Sequence, residues 1–138
     1  MTKVHPAGLE ALFEAARAVQ PRAHAPYSRF KVGAALRDGE GRIFSGCNVE
    51  NAAYPVGACA EASAISAMIA GGGTRIAAIV VLGEGRELVT PCGACRQRIR
   101  EFAGPTTPVV IADLAGIRKV FTLEELLPAS FGPSNLEP

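Results

Sequence analysis

Two short cysteine motifs, Cys59-Ala60-Glu61 and Pro91-Cys92-Gly93-Ala94-Cys95, set the strongest demand on how this chain folds. If their sulfurs meet, two distant segments must be brought to a single point. Cys92 and Cys95 stand three apart, so on a helix they share one face and can reach one ion. Cys59 offers a third thiolate. Three protein ligands leave the fourth corner of a tetrahedral zinc open to water, the pattern of a catalytic rather than a structural site. Glu61 is then a carboxylate beside the metal that is not needed as a ligand and is free to move protons. Two bland readings use the same residues. A closed four-cysteine structural site would have to recruit Cys47, which falls in the middle of an expected strand with no partner nearby in sequence. A redox Cys-x-x-Cys leaves Cys59-Ala60-Glu61 without a purpose. Cys47 itself reads as a buried, inert thiol.

At 138 residues the chain is long enough for one domain with a real core and too short for two ordinary ones, so residues 1–138 are read as a single domain. Its formal net charge is +1, and no block of Lys or Arg could track a phosphate backbone, which argues against a nucleic-acid partner. Its longest strongly apolar run, 76–82, is too short to cross a bilayer. Met1 to His5 is polar and carries no apolar signal segment. With cysteines in metal-ligand spacing, this points to a cytoplasmic, metal-binding protein rather than a disulfide-stapled one.

Periodicity predicts a helix over 6–19, with Leu9, Leu12, Phe13, Ala16 and Val19 on one face and Pro21 as its stop. Strands are expected over 30–36 and 42–48, joined by a hairpin turn at 37–41. A loop over 50–58 leads to a helix over 59–70, ended by Gly71-Gly72-Gly73. The β-branched run 76–82 predicts a central strand covered on both faces. Pro91 is expected in the first turn of a helix over 92–102. A short strand over 109–112, a further strand near Lys119 and a helix over 123–127 with Thr122 as N-cap complete the pattern. Hairpin strands followed by strand–helix alternation imply an α/β mixed sheet with helices on both faces.

Both cysteine motifs fall at expected helix starts, where free N–H groups and the positive dipole end favour a thiolate. Zinc lowers the pKa of a bound water from 15.7 to roughly 7 in favourable sites, supplying hydroxide at neutral pH. The ligand order Cys-x-Glu, then Pro-Cys-x-x-Cys, is the signature of zinc nucleoside and nucleobase deaminases. In the zinc deaminases whose signature this ligand set matches, the glutamate accepts a proton from that water, donates to a ring nitrogen and later carries a proton to the departing ammonia, and Glu61 would do the same.

Beyond that signature, the chain resembles the small homotetrameric cytidine deaminases from Tyr27 to Phe131. The resemblance rests on Tyr27-Ser28-Arg29-Phe30-Lys31-Val32-Gly33-Ala34-Ala35-Leu36, on Gly46-Cys47-Asn48-Val49-Glu50-Asn51-Ala52-Ala53-Tyr54, and on Thr90-Pro91-Cys92-Gly93-Ala94-Cys95-Arg96-Gln97. Glu124-Glu125-Leu126-Leu127-Pro128 and Phe131 complete it. It implies a three-layer α/β/α fold around a five-stranded sheet, one Zn2+ per subunit, and a homotetramer whose pockets are completed by neighbouring subunits. The implied reaction is hydrolytic deamination of cytidine and 2′-deoxycytidine, in pyrimidine salvage. Asn48 and Glu50 resemble the family's ribose readers, Phe30 the aromatic against the base, and Phe131 the aromatic that enters a neighbour's pocket. Tyr54 and the backbone around Ala58 and Ala60 are implied to line the pocket or the subunit boundary. Without the motifs, Asn48 would read as the start of a turn, Phe30 as a core residue and Phe131 as an anchor for the tail.

One position departs from the family. An arginine usually follows the catalytic glutamate there and hydrogen-bonds the ligand thiolates; this chain has Ala62. Arg86, which sits where blasticidin-type deaminases carry an arginine before Pro-Cys-Gly-x-Cys, is the candidate to compensate the thiolate charge, against a plain reading as a solvated loop charge. A deaminase for a blasticidin-like nucleoside remains the rival substrate reading, although it does not account for Glu50. A non-catalytic zinc module is the rival from outside enzymology, although it does not account for Glu61.

Overall fold

A computed structural model describes residues 8–138. The first helix, α1 (Leu9–Val19), turns Leu9, Leu12, Phe13 and Ala16 inward at the expected helical spacing. Its expected beginning at Pro6 lies outside the described residues. Past Val19 the chain tightens into a 3-10 turn, Gln20–Arg22, containing Pro21.

Next comes a hairpin of β1 (Val32–Asp38) and β2 (Ile43–Cys47). The first strand starts and ends two residues later than the sequence suggests. Arg37 still pairs with Ile43, and Asp38 builds the turn. The Asp38 carboxylate accepts from the backbone N–H groups of Glu40 (3.0 Å) and Arg42 (2.8 Å), and pairs with the Arg42 guanidinium at 2.8 Å. Those donors make its near-complete burial tolerable. Cys47 also differs from expectation. It ends β2 and is half-buried, because β2 is an edge strand with no sheet neighbour on its outer side.

Helix α2 (Ala60–Ala70) leads to β3 (Ile76–Gly83), and α3 (Gly93–Phe102) to β4 (Pro108–Asp113). Strand β5 (Gly116–Thr122), expected only as something near Lys119, is a full edge strand. The single-turn α4 (Leu123–Leu126) is closed by a capping box in which Thr122 and Glu125 exchange hydrogen bonds. The sheet runs β2-β1-β3-β4-β5, with β3 parallel to β4 and every other pair antiparallel.

Alternation along β3 explains the layers. Ile79 and Val81 join the core beneath α2, α3 and α4, whereas Val80 and Leu82 join the core beneath α1. The central strand is therefore buried on both faces, and the architecture is three-layer α/β/α. The face that carries α2 and α3 is the one that carries the cysteines.

The packing of α2 is set by Gly46. A methyl group there would come within 2.6 Å of the Ala64 backbone nitrogen and 2.8 Å of the Ser63 carbonyl carbon. Backbone atoms cannot rotate aside, so Gly46→Ala forces α2 off the sheet. The expected loss is about 1–3 kcal/mol of stability, the range for overpacking a tight contact. A denaturation midpoint equal to wild type would refute this account of the contact.

Candidate metal centre and active site

Cys59 and Cys92 are the N-cap residues of α2 and α3, both with extended backbone and neither helix start carrying a side-chain cap. Pro91 therefore lies one residue ahead of the cap, not inside the first turn as expected. Cys95 follows within the first turn of α3 and is 0% exposed. All four cysteines are free thiols, and the sulfurs of Cys59, Cys92 and Cys95 lie within 4.8 Å of one another. Zinc–sulfur bonds of ~2.3 Å in a tetrahedron separate two sulfurs by about 3.8 Å, so a small inward motion suffices for this trio to hold zinc. Cys47 is not part of the group.

The electrostatics of the cluster suit a bound cation. Burial, the charge of Glu61 and the neighbouring Cys59 push the Cys95 thiol up. Burial likewise pushes Cys59 up. For Cys92 burial acts in the same direction but is outweighed by the Cys95 N–H and by the neighbouring thiols, and its pKa falls. A divalent soft cation is what converts such a cluster to thiolates.

Glu61 occupies the first turn of α2 and is 4% exposed. Burial raises its carboxyl above the ordinary range, against the pull of its own backbone N–H, the Cys95 thiol and the charge of Arg98. A raised carboxyl pKa suits a group that must both take and give a proton near neutrality. Glu61, Cys59 and Cys92 border a cavity of about 320 Å³ whose walls also include Phe30, Asn48 and Ala60. A second depression of about 500 Å³ adjoins it and shares Ser28, Asn48, Glu50 and Cys59. Tyr27, Tyr54 and Ala58 line its outer part.

Asn48 and Glu50 organise the segment before β1. The Asn48 carboxamide accepts from Val32 N–H and donates to the Phe30 carbonyl, both at 2.8 Å. One Glu50 oxygen accepts from the backbone N–H groups of Tyr27 (3.0 Å) and Ser28 (3.1 Å), and the other accepts from the Ser28 hydroxyl. That hydroxyl, ahead of the backbone donors, holds the Glu50 carboxyl below its usual range. Glu50 is thus an ionised acceptor at the rim of the cavity.

Two expected site residues stand apart from this group. Phe131 is 59% exposed and borders neither cavity; its carbonyl accepts from Gln97 Nε2 at 2.8 Å. Arg86 lies in the loop after β3, where its carbonyl accepts from the Arg118 guanidinium. Among the described residues, the arginine that touches one of the three sulfurs is Arg98, whose Nη1 donates to Cys95 Sγ at 3.3 Å. Sequence reasoning passed over Arg98 although its signal was present, since it follows Cys95 by one helical turn on the same face. Ser28 was missed for want of any signal, because its bond to Glu50 depends on a long loop closing. Arg96 is structural, bonding the carbonyls of Pro91 (2.7 Å) and Leu126 (2.8 Å) and so fixing the turn that carries Cys92.

Comparison with known proteins agrees with this geometry. Residues 7–112 match the family model described as the cytidine and deoxycytidylate deaminase zinc-binding region. A cytidine deaminase of Sporosarcina psychrophila is 38% identical over 93% of this chain and 94% of its own length. One from Halalkalibacterium halodurans is 41% identical over 83% of this chain and 88% of its own. Among solved structures, the cytidine deaminase of Burkholderia pseudomallei superposes with a TM-score of 0.82 at 46% identity, covering 88% of this chain and 98% of that one.

Proposed function

Since the chain belongs to the cytidine and deoxycytidylate deaminase family, we propose that it hydrolyses cytidine and 2′-deoxycytidine to uridine and 2′-deoxyuridine, releasing ammonia. The observation that carries this reading is Glu61, buried with a raised carboxyl pKa between three converging sulfurs and a cavity rimmed by an ionised acceptor. Cys59, Cys92 and Cys95 would hold one zinc, which when bound supplies Lewis acidity and lowers the pKa of a coordinated water. Glu61 takes a proton from the attacking water and gives it to ring nitrogen N3, and the new C4–O bond forms. The hydroxyl at C4 then loses its proton through Glu61 to the amine. The C4–N bond breaks, ammonia leaves, and C4 becomes a carbonyl with N3 still protonated.

Phe30 packs against the base, Ala60 lends backbone at the cavity wall, and Asn48 and Glu50 read the sugar. Glu50 keeps one lone-pair position beyond the three used by its own loop, and its negative charge favours a donor such as the ribose 3′-hydroxyl. Glu50→Gln is expected to raise KM for cytidine roughly ten-fold or more, from about 1.5–3 kcal/mol for a charged hydrogen bond. The loss should vanish with a substrate lacking the 3′-hydroxyl; an equal loss on both substrates removes Glu50 as a sugar reader.

The assembly is a homotetramer in the cytoplasm. Tyr54 is 76% exposed and Phe131, Tyr27 and Val56 are also exposed, leaving apolar surface for neighbouring subunits to cover and for Phe131 to complete an adjacent pocket. Light scattering that finds only monomer would end that assignment. Free thiols suit a reducing compartment, and no helix among the described residues is long and apolar enough to cross a membrane. Recovery outside the cytosolic fraction of cells would contradict this location. The reaction is tested by incubating the purified protein with cytidine, following the absorbance lost with the amine, and assaying ammonia and bound zinc together. Zinc-loaded protein that leaves cytidine and deoxycytidine intact overturns the reading.

A further inference from the structure

Three thiolates around a divalent zinc leave one net negative charge, beside the buried Glu61 carboxyl. Such a centre draws electron density from water poorly and holds its own ligands under mutual repulsion. Position 62, directly after Glu61, carries no charge to offset it, being alanine. The only guanidinium in hydrogen-bond contact with a ligand sulfur among the described residues is that of Arg98.

We propose that Arg98 is the positioning residue that balances the thiolate centre, by donating from Nη1 to Cys95 Sγ across one turn of α3. The inference rests on reading Cys59, Cys92 and Cys95 as the zinc ligands. Its geometry is local and therefore robust. Cys95 and Arg98 share a face of one helix, so the contact requires no loop to close. Cys95 is the fully buried member of the trio, the sulfur least able to be solvated by water, and so the one that gains most from a protein donor. Arg98 itself is exposed along part of its length, which lets the guanidinium meet the sulfur without being stripped of water. Helix α3 thus carries two ligands together with their charge partner, while α2 carries the third ligand and the proton carrier. Ala62 is consequently free to remain small against its surroundings.

The test compares zinc-loaded wild type with Arg98→Ala, Arg98→Lys, Arg86→Ala and Arg75→Ala. Alanine and lysine are both good helix formers, so α3 persists in either Arg98 variant. Zinc transfer to a chromogenic chelator and the sulfur-to-cobalt charge-transfer bands of the cobalt-substituted proteins are recorded. Arg98→Ala is expected to lose zinc about 10–100-fold more readily, the usual effect of removing a group that supports a metal ligand. Its cobalt bands should also move, because a donor has left the sulfur. Arg98→Lys should fall between Arg98→Ala and wild type, and Arg75→Ala should match wild type. Unchanged zinc retention and unchanged bands in Arg98→Ala overturn the proposal, as does equal loosening by Arg86→Ala. Failure of wild type itself to take up zinc is a different result, and it sinks the reading of the three cysteines as well.

Discussion

Glu61→Gln is expected to lower kcat by about 10²–10⁴-fold, the range for removing a positioned general acid–base. Zinc content should not change. Glutamine keeps the shape of the side chain and one acceptor oxygen but cannot exchange a proton at neutral pH. The carboxyl sits in the first turn of α2, two residues past the Cys59 cap, and is buried without an ion-pair partner among the salt bridges of the described residues. Nothing in the surrounding packing requires the charge. The two readouts therefore separate, with turnover collapsing while metal stays. A variant that retains near-wild-type kcat would remove Glu61 from the chemistry, and one that loses zinc would make it a ligand.

The second large effect concerns Cys95. Cys95→Ala removes the one fully buried sulfur of the trio, and the remaining two lie at the caps of different helices. Zinc is expected to be lost on dialysis and turnover to fall to background. Thermal stability should drop as well, because metal binding free energy contributes to folding where ligands come from separate segments. Cys47→Ala supplies the contrast. Cys47 lies outside the group of converging sulfurs, so zinc content and turnover should stay at the wild-type level. Retention of one zinc by Cys95→Ala, or its loss from Cys47→Ala, would rewrite the ligand set.

Much of this could be read from the chain because the signals are local. The placement of Cys59 and Cys92 at helix starts follows from Gly71-Gly72-Gly73, from Pro91 and from the apolar spacing in between. The run from Ile76 onward could hardly be anything but a central strand. Strand β5 was harder, since it is an edge strand with half-buried residues and no clean alternation. The hairpin boundary slipped because Asp38, a turn residue by composition, is consumed as the last residue of β1 and satisfied by Arg42. At the site the divide is the same. Glu61 and the cysteines declare themselves by spacing. The bonds of Asn48 and Glu50 to the 27–32 segment depend on tertiary closure and leave no mark in the sequence. The offset before Pro91 singles out Arg86, whereas the arginine that shares a helical face with Cys95 is the one that bonds its sulfur.

The carboxylate at position 50 has a consequence for anyone wishing to alter what this protein accepts. It is the fastening of Tyr27 and Ser28 before it is anything to a visitor in the cavity. Widening tolerance toward unusual sugars by trimming it would release the very wall that Phe30 stands on. A successful redesign would first knit that wall together by other means, and only then change position 50.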